Sequence, residues 1–201
     1  MGKIRRAIIS CHDKTGLVEF AKLLRDFEVE IISTAGTLKV LQDSGIAAIS
    51  IADYTGTPEM MDGRVKSLHV KVHAGLLGIR DNKLHCEQLQ AASFEWIDLV
   101  VVNLRPAEAL FNSPGVTVEE VIEQIDIGGA TLIRSAAKNF RYVTVAVKPE
   151  RYSLLMHEML AHDGAVTFPT RYRLAQEAFE CTAHYDKVIA DYLSRVPVVE
   201  K

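Results

Sequence analysis

Short β-branched runs alternate along this chain with segments of helical period, and that alternation leaves few folds open. Ala7-Ile8-Ile9-Ser10-Cys11 reads as a buried strand, after which Leu17, Phe20, Ala21, Leu23 and Leu24 recur at helical spacing to about Phe27. Val29 to Ser33 is a second strand, Thr34 to Thr37 a tight turn, and Leu38, Val40 and Leu41 open a helix that stops near Ser44-Gly45. Ile46 to Ile51 reads as a third, short strand. Ile97 to Val102 is the most apolar run, as expected of a central parallel strand covered on both faces, and Tyr142 to Val147 is the last. Strands separated by helices predict an α/β fold with a doubly wound, mostly parallel sheet. Pro149 to His162 and Arg171 to Leu193 read as additional C-terminal helices, the second with Leu174, Ala178, Cys181, Tyr185, Val188, Ile189 and Tyr192 along one packing face. We therefore expect an α/β unit over residues 1–147 and a helical extension over 148–201.

Composition narrows the function. The 201 residues are 48% hydrophobic and 24% charged, with a net charge of −3, which supports neither a general nucleic-acid nor a membrane-surface role. No apolar run approaches the roughly 20 residues that span a bilayer. The N-terminal Met-Gly-Lys-Ile-Arg-Arg lacks the apolar stretch of a secretion signal. Cys11, Cys86 and Cys181 are widely spaced, odd in number and outside any metal-ligand pattern, so free thiols in a cytoplasmic protein are expected. Any anion site must be a local gathering of cations.

The densest such gathering is Gly63-Arg64-Val65-Lys66-Ser67-Leu68-His69, continuing through Val70-Lys71-Val72-His73. Its cations alternate with aliphatics. In an extended segment Arg64 and Lys66 share a side. Two readings stand: a clamp for a phosphate, with Arg64 bidentate and Lys66 a point charge, or an edge strand blunted by cations. The long stretch Asp53 to Gly63 reads as a loop arching into it, and a helix starts near His73.

Three further places carry candidate chemistry. The strand–turn–helix junctions at His12-Asp13-Lys14-Thr15 and at Thr34-Ala35-Gly36-Thr37 lie where parallel sheets bind ligands, with free helix N–H groups and, in the second, room for close backbone approach. Either is also an ordinary capped turn. Asn103 ends the central strand ahead of Leu104-Arg105-Pro106. Asp126, flanked by Ile125 and Ile127 before Gly128-Gly129, is either a buried cap or a working carboxylate of the helix ending in Lys138.

Together these motifs resemble the IMP cyclohydrolase domain of the bifunctional purine-biosynthesis enzymes. The family pattern runs Ser-Asp-Lys-Thr-Gly, Ser-Thr-Gly-Gly-Thr, Gly-Arg-Val-Lys-Thr-Leu-His-Pro, Asn-Leu-Tyr-Pro, Ile-Asp-Ile-Gly-Gly and Arg-Ser-Ala-Ala-Lys-Asn. Here it stands at 12–16, 33–37, 63–70, 103–106, 125–129 and 134–139, and the resemblance covers residues 6–193. It implies a methylglyoxal synthase-like fold for the first part. It also implies dehydrative closure of 5-formamidoimidazole-4-carboxamide ribotide (FAICAR) to IMP, the last step of de novo purine biosynthesis, with no cofactor and no metal. The family's formyltransferase domain is absent from this sequence, and the family dimerises partly through it, so a homodimer is an expectation.

By resemblance, Lys66, Asp126 and Lys138 are catalytic. Lys138 transfers a proton, Lys66 stabilises the oxyanion or transfers a proton, and Asp126 polarises the amide and orients Lys138. The ribotide is bound by His12, Asp13, Lys14, Thr15, Thr34, Ala35, Gly36, Thr37, Arg64, Val65, Ser67, Val102, Asn103, Arg105, Ile127 and Gly128. Departures from the family include Arg105 for tyrosine, His12 for serine, Val70 for proline and, just past the last motif, Phe140 for histidine. Competing readings are a paralogue cyclising a related ribotide, a non-catalytic module binding phosphorylated metabolites, and a methylglyoxal synthase-like lyase.

Overall fold

The computed structural model describes residues 2–106, 111 and 115–196. Five strands, β1 (Arg6–Cys11), β2 (Glu30–Ser33), β3 (Ile49–Ser50), β4 (Leu99–Asn103) and β5 (Thr144–Ala146), form one sheet in the order β3-β2-β1-β4-β5, and all four pairings are parallel. Ile8 sits opposite Ile32 on one side and Val100 on the other. Every residue of β4 is buried, as a strand covered on both faces requires.

The helices are α1 (Leu17–Asp26), α2 (Ala35–Asp43), α3 (Ile51–Thr55), α4 (Val70–Leu77), α5 (Lys83–Ala91), α6 (Val118–Glu123), α7 (Ile127–Lys138), α8 (Tyr152–Ala161) and α9 (Phe168–Leu193). α1 packs with α2 and α8, where Phe20 stacks on Tyr152 at 5.0 Å. On the other side α7 packs with α4, α9, β4 and β5. The C-terminal helices thus join the core of the sheet. Strand order reverses between β1 and β4, so a crevice opens at their carboxyl ends.

Local chemistry overturned several expectations. The cationic stretch is not extended. Asp62 and Gly63 take positive φ, and the N–H groups of Lys66 and Leu68 reach back to the carbonyls of Gly63 and Val65, so residues 63–68 are consecutive turns. Neither the two-sided strand nor the blunted edge strand forms. α4 begins at Val70, three residues earlier than expected, because the His69 ring accepts the Lys71 N–H at 3.1 Å. Thr34 to Thr37 is no separate turn, since the Thr34 carbonyl accepts the Leu38 N–H at 2.8 Å and α2 starts at Ala35. The third strand shrinks to two residues because Ser50 caps α3, which takes up the start of the expected loop. α9 starts at Phe168, with Pro169 in the first turn where its missing N–H is harmless.

Candidate functional site

A cavity of about 480 Å³ opens at the carboxyl end of the sheet. Ser10 of β1 and Thr34 after β2 form one wall, and their hydroxyls hydrogen-bond each other at 2.7 Å. Asp62, Gly63, Arg64, Lys66 and Ser67 form the second, and the end of α6 with the start of α7 forms the third. Thr34 gives α2 no side-chain cap, and no described group takes the N–H of Ala35 or Gly36, so this helix start keeps donors free next to Thr34, which lines the cavity.

Several predicted ligand residues build the crevice from behind. Asn103 accepts the Asp13 N–H at 2.7 Å and donates to the Asp13 carbonyl at 2.9 Å, locking the turn after β1 to the end of β4. Thr37 is buried, its hydroxyl accepting the Cys11 N–H at 2.9 Å and facing the Cys11 carbonyl. Asp13 accepts from both the amide and the hydroxyl of Thr15, which holds its carboxyl below the usual range. His12 and Thr15 are exposed, the Lys14 ammonium bonds the His12 carbonyl at 3.2 Å, and residues 12–15 are not among the side chains that line the cavity. Val102 is wholly within the core.

α7 presents the densest polar arrangement. Asp126 is its N-cap, one oxygen (Oδ1) accepting the Gly129 N–H at 2.7 Å. The other, Oδ2, has no hydrogen-bond partner among the described residues. The two sequence readings of Asp126 therefore combine: one oxygen caps, the other lies against Gly129 without a hydrogen-bond partner among the described residues, and the residue lines the cavity. The N–H of Asp126 is fixed in turn by the buried Tyr185 of α9, whose hydroxyl accepts it at 2.9 Å. Burial pushes that phenol's pKa up. Gly128 and Gly129 let neighbouring side chains approach the helix start closely. A methyl on Gly128 would strike the Ser67 hydroxyl, and one on Gly129 would strike the Asp126 carboxylate and come within 2.8 Å of Leu104. Ser67 is thereby held over the helix start, and Ile127 is exposed beside it. His73 of α4 bonds the Ser135 hydroxyl at 3.0 Å behind this wall.

Among the described residues two cations line the cavity. Arg64 forks onto Glu123 at the end of α6, and Lys66 lies 3.7 Å from Glu59. Val65, between them, is half-buried. Lys138 does not belong here. It ends α7, twelve residues from Asp126, which at 1.5 Å rise per residue is about 18 Å along the helix. The expected Asp126–Lys138 pairing does not form within the chain, because both residues lie on one straight helix. Arg105 bonds the Gln124 side chain and turns toward α6 rather than into the cavity. Among the described residues no group of three or more His, Cys, Asp and Glu is placed to hold a metal ion, and no helix is long and apolar enough to cross a membrane.

Sequence reasoning missed Ser10, Asp62, Glu123 and Tyr185. Ser10 was legible as the polar member of an apolar strand. Tyr185 gave no signal beyond its place on a packing stripe.

This is an α/β domain of the parallel, switch-point type, with an anion-suited helix start and a carboxylate meeting in one crevice. Residues 16–131 match the MGS-like domain, and residues 136–201 match the AICARFT/IMPCHase bienzyme family. The chain belongs to the MGS-like domain family. It is 53% identical over 191 residues to the bifunctional purine biosynthesis protein PurH of Chlorobium chlorochromatii, covering 95% of this chain and 36% of that protein. Against PurH of Neisseria meningitidis the identity is 49% over 194 residues, covering 96% and 37%. The chain thus spans about a third of the length of these relatives. The crystal structure of ForH superposes with a TM-score of 0.84 at 29% identity, covering 94% of this chain and 99% of that one.

Proposed function

We propose that this chain is an IMP cyclohydrolase, closing FAICAR to IMP with loss of water. The observation that carries the reading is the meeting of Lys66, Ser67, the free oxygen of Asp126 and the start of α7 around one cavity. The similarity of nearly the whole chain to PurH and the bienzyme match over 136–201 support it.

The ring forms when the carboxamide nitrogen attacks the formyl carbon of the same molecule. Both reactants are already tethered, so holding a near-attack conformer supplies much of the rate. The nitrogen must lose a proton, and Asp126 Oδ2 is the group free to accept it. Negative charge grows on the formyl oxygen, where the Lys66 ammonium and the first N–H groups of α7 neutralise it. The proton taken by Asp126 is returned to that oxygen, the C–O bond then breaks, and the hydroxyl leaves as water with the formamide N–H proton as the C=N bond of the new ring forms. The phosphate takes the open start of α2 and Arg64. Ser67 orients the base. Lys138 stands outside this arrangement, and so does Arg105, which is held by the Gln124 side chain. The site lies on the domain's own crevice, so a homodimer is a separate expectation.

The test is ring closure followed by IMP absorbance, with purified chain and FAICAR against buffer. Turnover that falls by about 10² to 10⁴ in Asp126→Asn is the expected result. A rate equal to buffer, or full activity in Asp126→Asn, overturns the assignment.

A further inference from the structure

Charge around the cavity does not suit the ligand it is read to bind. Among the described residues the lining holds two cations, Arg64 and Lys66, and three carboxylates, Asp62, Glu123 and Asp126. Both cations already face a carboxylate, Arg64 that of Glu123 through Nε at 3.2 Å and through Nη2, and Lys66 that of Glu59 at 3.7 Å. An entering phosphate dianion therefore meets described lining side chains of formal charge −1, and it gains by taking over a cation that a carboxylate now holds.

The geometry singles out Glu123. Asp126 is tied to the Gly129 N–H and to the fold. Glu123 is the last residue of α6, where the negative end of the helix dipole disfavours a carboxylate, and its side chain is 49% exposed. Arg64 is its hydrogen-bond partner. The fork it offers matches a phosphate as well as a carboxylate.

We propose that Glu123 is an internal counter-ion of Arg64 that the ligand's phosphate displaces, which makes Glu123 a specificity-determining residue of the site. This rests on the cyclohydrolase reading for the ligand, a nucleoside monophosphate. A tethered carboxylate competes at a high effective concentration. A free anion, which brings no other contacts, loses that competition. A ribotide wins it through its base and sugar contacts.

The experiment is calorimetric titration of the whole chain with IMP, inosine and inorganic phosphate, in the wild type, Glu123→Gln, Arg64→Ala and the double variant. Asp43→Asn, which removes an equal charge at the far end of α2, is the control. Glu123→Gln is expected to bind inorganic phosphate and IMP about fivefold more tightly, the upper range for freeing an exposed pair. Inosine should be unaffected, and the gain should vanish on the Arg64→Ala background. No gain, an equal gain in Asp43→Asn, or a gain that survives Arg64→Ala overturns the proposal. Wild-type turnover separates the two ideas. Active wild type with no Glu123 effect sinks the counter-ion alone, while wild type that neither turns over FAICAR nor binds IMP sinks the cyclohydrolase reading and this proposal with it.

Discussion

Gly129→Ala is the sharpest single probe of how this site is built. The new methyl would occupy the space of the Asp126 carboxylate and lie 2.8 Å from Leu104 Cδ2. Asp126 must then leave its cap, at a cost of about 1 kcal/mol. The crowding against Leu104 adds roughly 1–3 kcal/mol. Alanine's better helix propensity returns about 1 kcal/mol. The net is a loss of about 2 kcal/mol, or roughly 4–8 °C in Tm for a chain of this size. The effect on rate should be larger, because the group expected to take the amide proton has been moved; a displacement of about 1 Å is enough for roughly 10²-fold. Thermal unfolding and the ring-closure assay on one preparation measure both. Unchanged Tm with unchanged kcat would refute the claim that the close approach of Gly129 holds Asp126. A lower Tm with full activity would refute the catalytic use of that carboxylate.

Two further outcomes follow from the walls behind the cavity. Tyr185→Phe removes the acceptor for the Asp126 N–H and should cost about 1–3 kcal/mol, with a fall in kcat that exceeds any rise in KM; equal stability and kcat would show that α9 does not position the cap. His73 has a buried Nε2 without a hydrogen-bond partner among the described residues, and burial pushes its pKa below the ordinary 6.5, an effect the nearby Ser67 backbone offsets only in part. Below pH 6.5 the unfolded chain takes up a proton that the folded one refuses, so this stability is complete above that pH and is lost as pH falls toward the lower folded value. Tm measured at about pH 8 and pH 5.5 should therefore drop more in wild type than in His73→Asn, and equal drops would count against a neutral buried imidazole.

Local pattern was enough for the sheet and most of the helices, because burial on both faces writes continuous apolar runs such as Leu99 to Val102 and amphipathic helices write a 3.6 period. It also marked Asp126, Gly128 and Gly129, since a polar residue between isoleucines before paired glycines has few structural uses. It misjudged residues 63–68, where alternating character looks the same in a strand and in a series of turns; positive φ at Asp62 and Gly63 decided between them, and φ is set by what the chain must pack against. It likewise joined Asp126 to Lys138, which helix rise then separated. Tertiary structure alone decided which charges meet. Arg64 reaching Glu123, 59 residues away, and Tyr185 reaching Asp126, again 59 residues away, are contacts between elements whose local patterns carry no trace of each other. Local periodicity reports which face of an element is buried, and only the assembled fold fixes the partner that buries it.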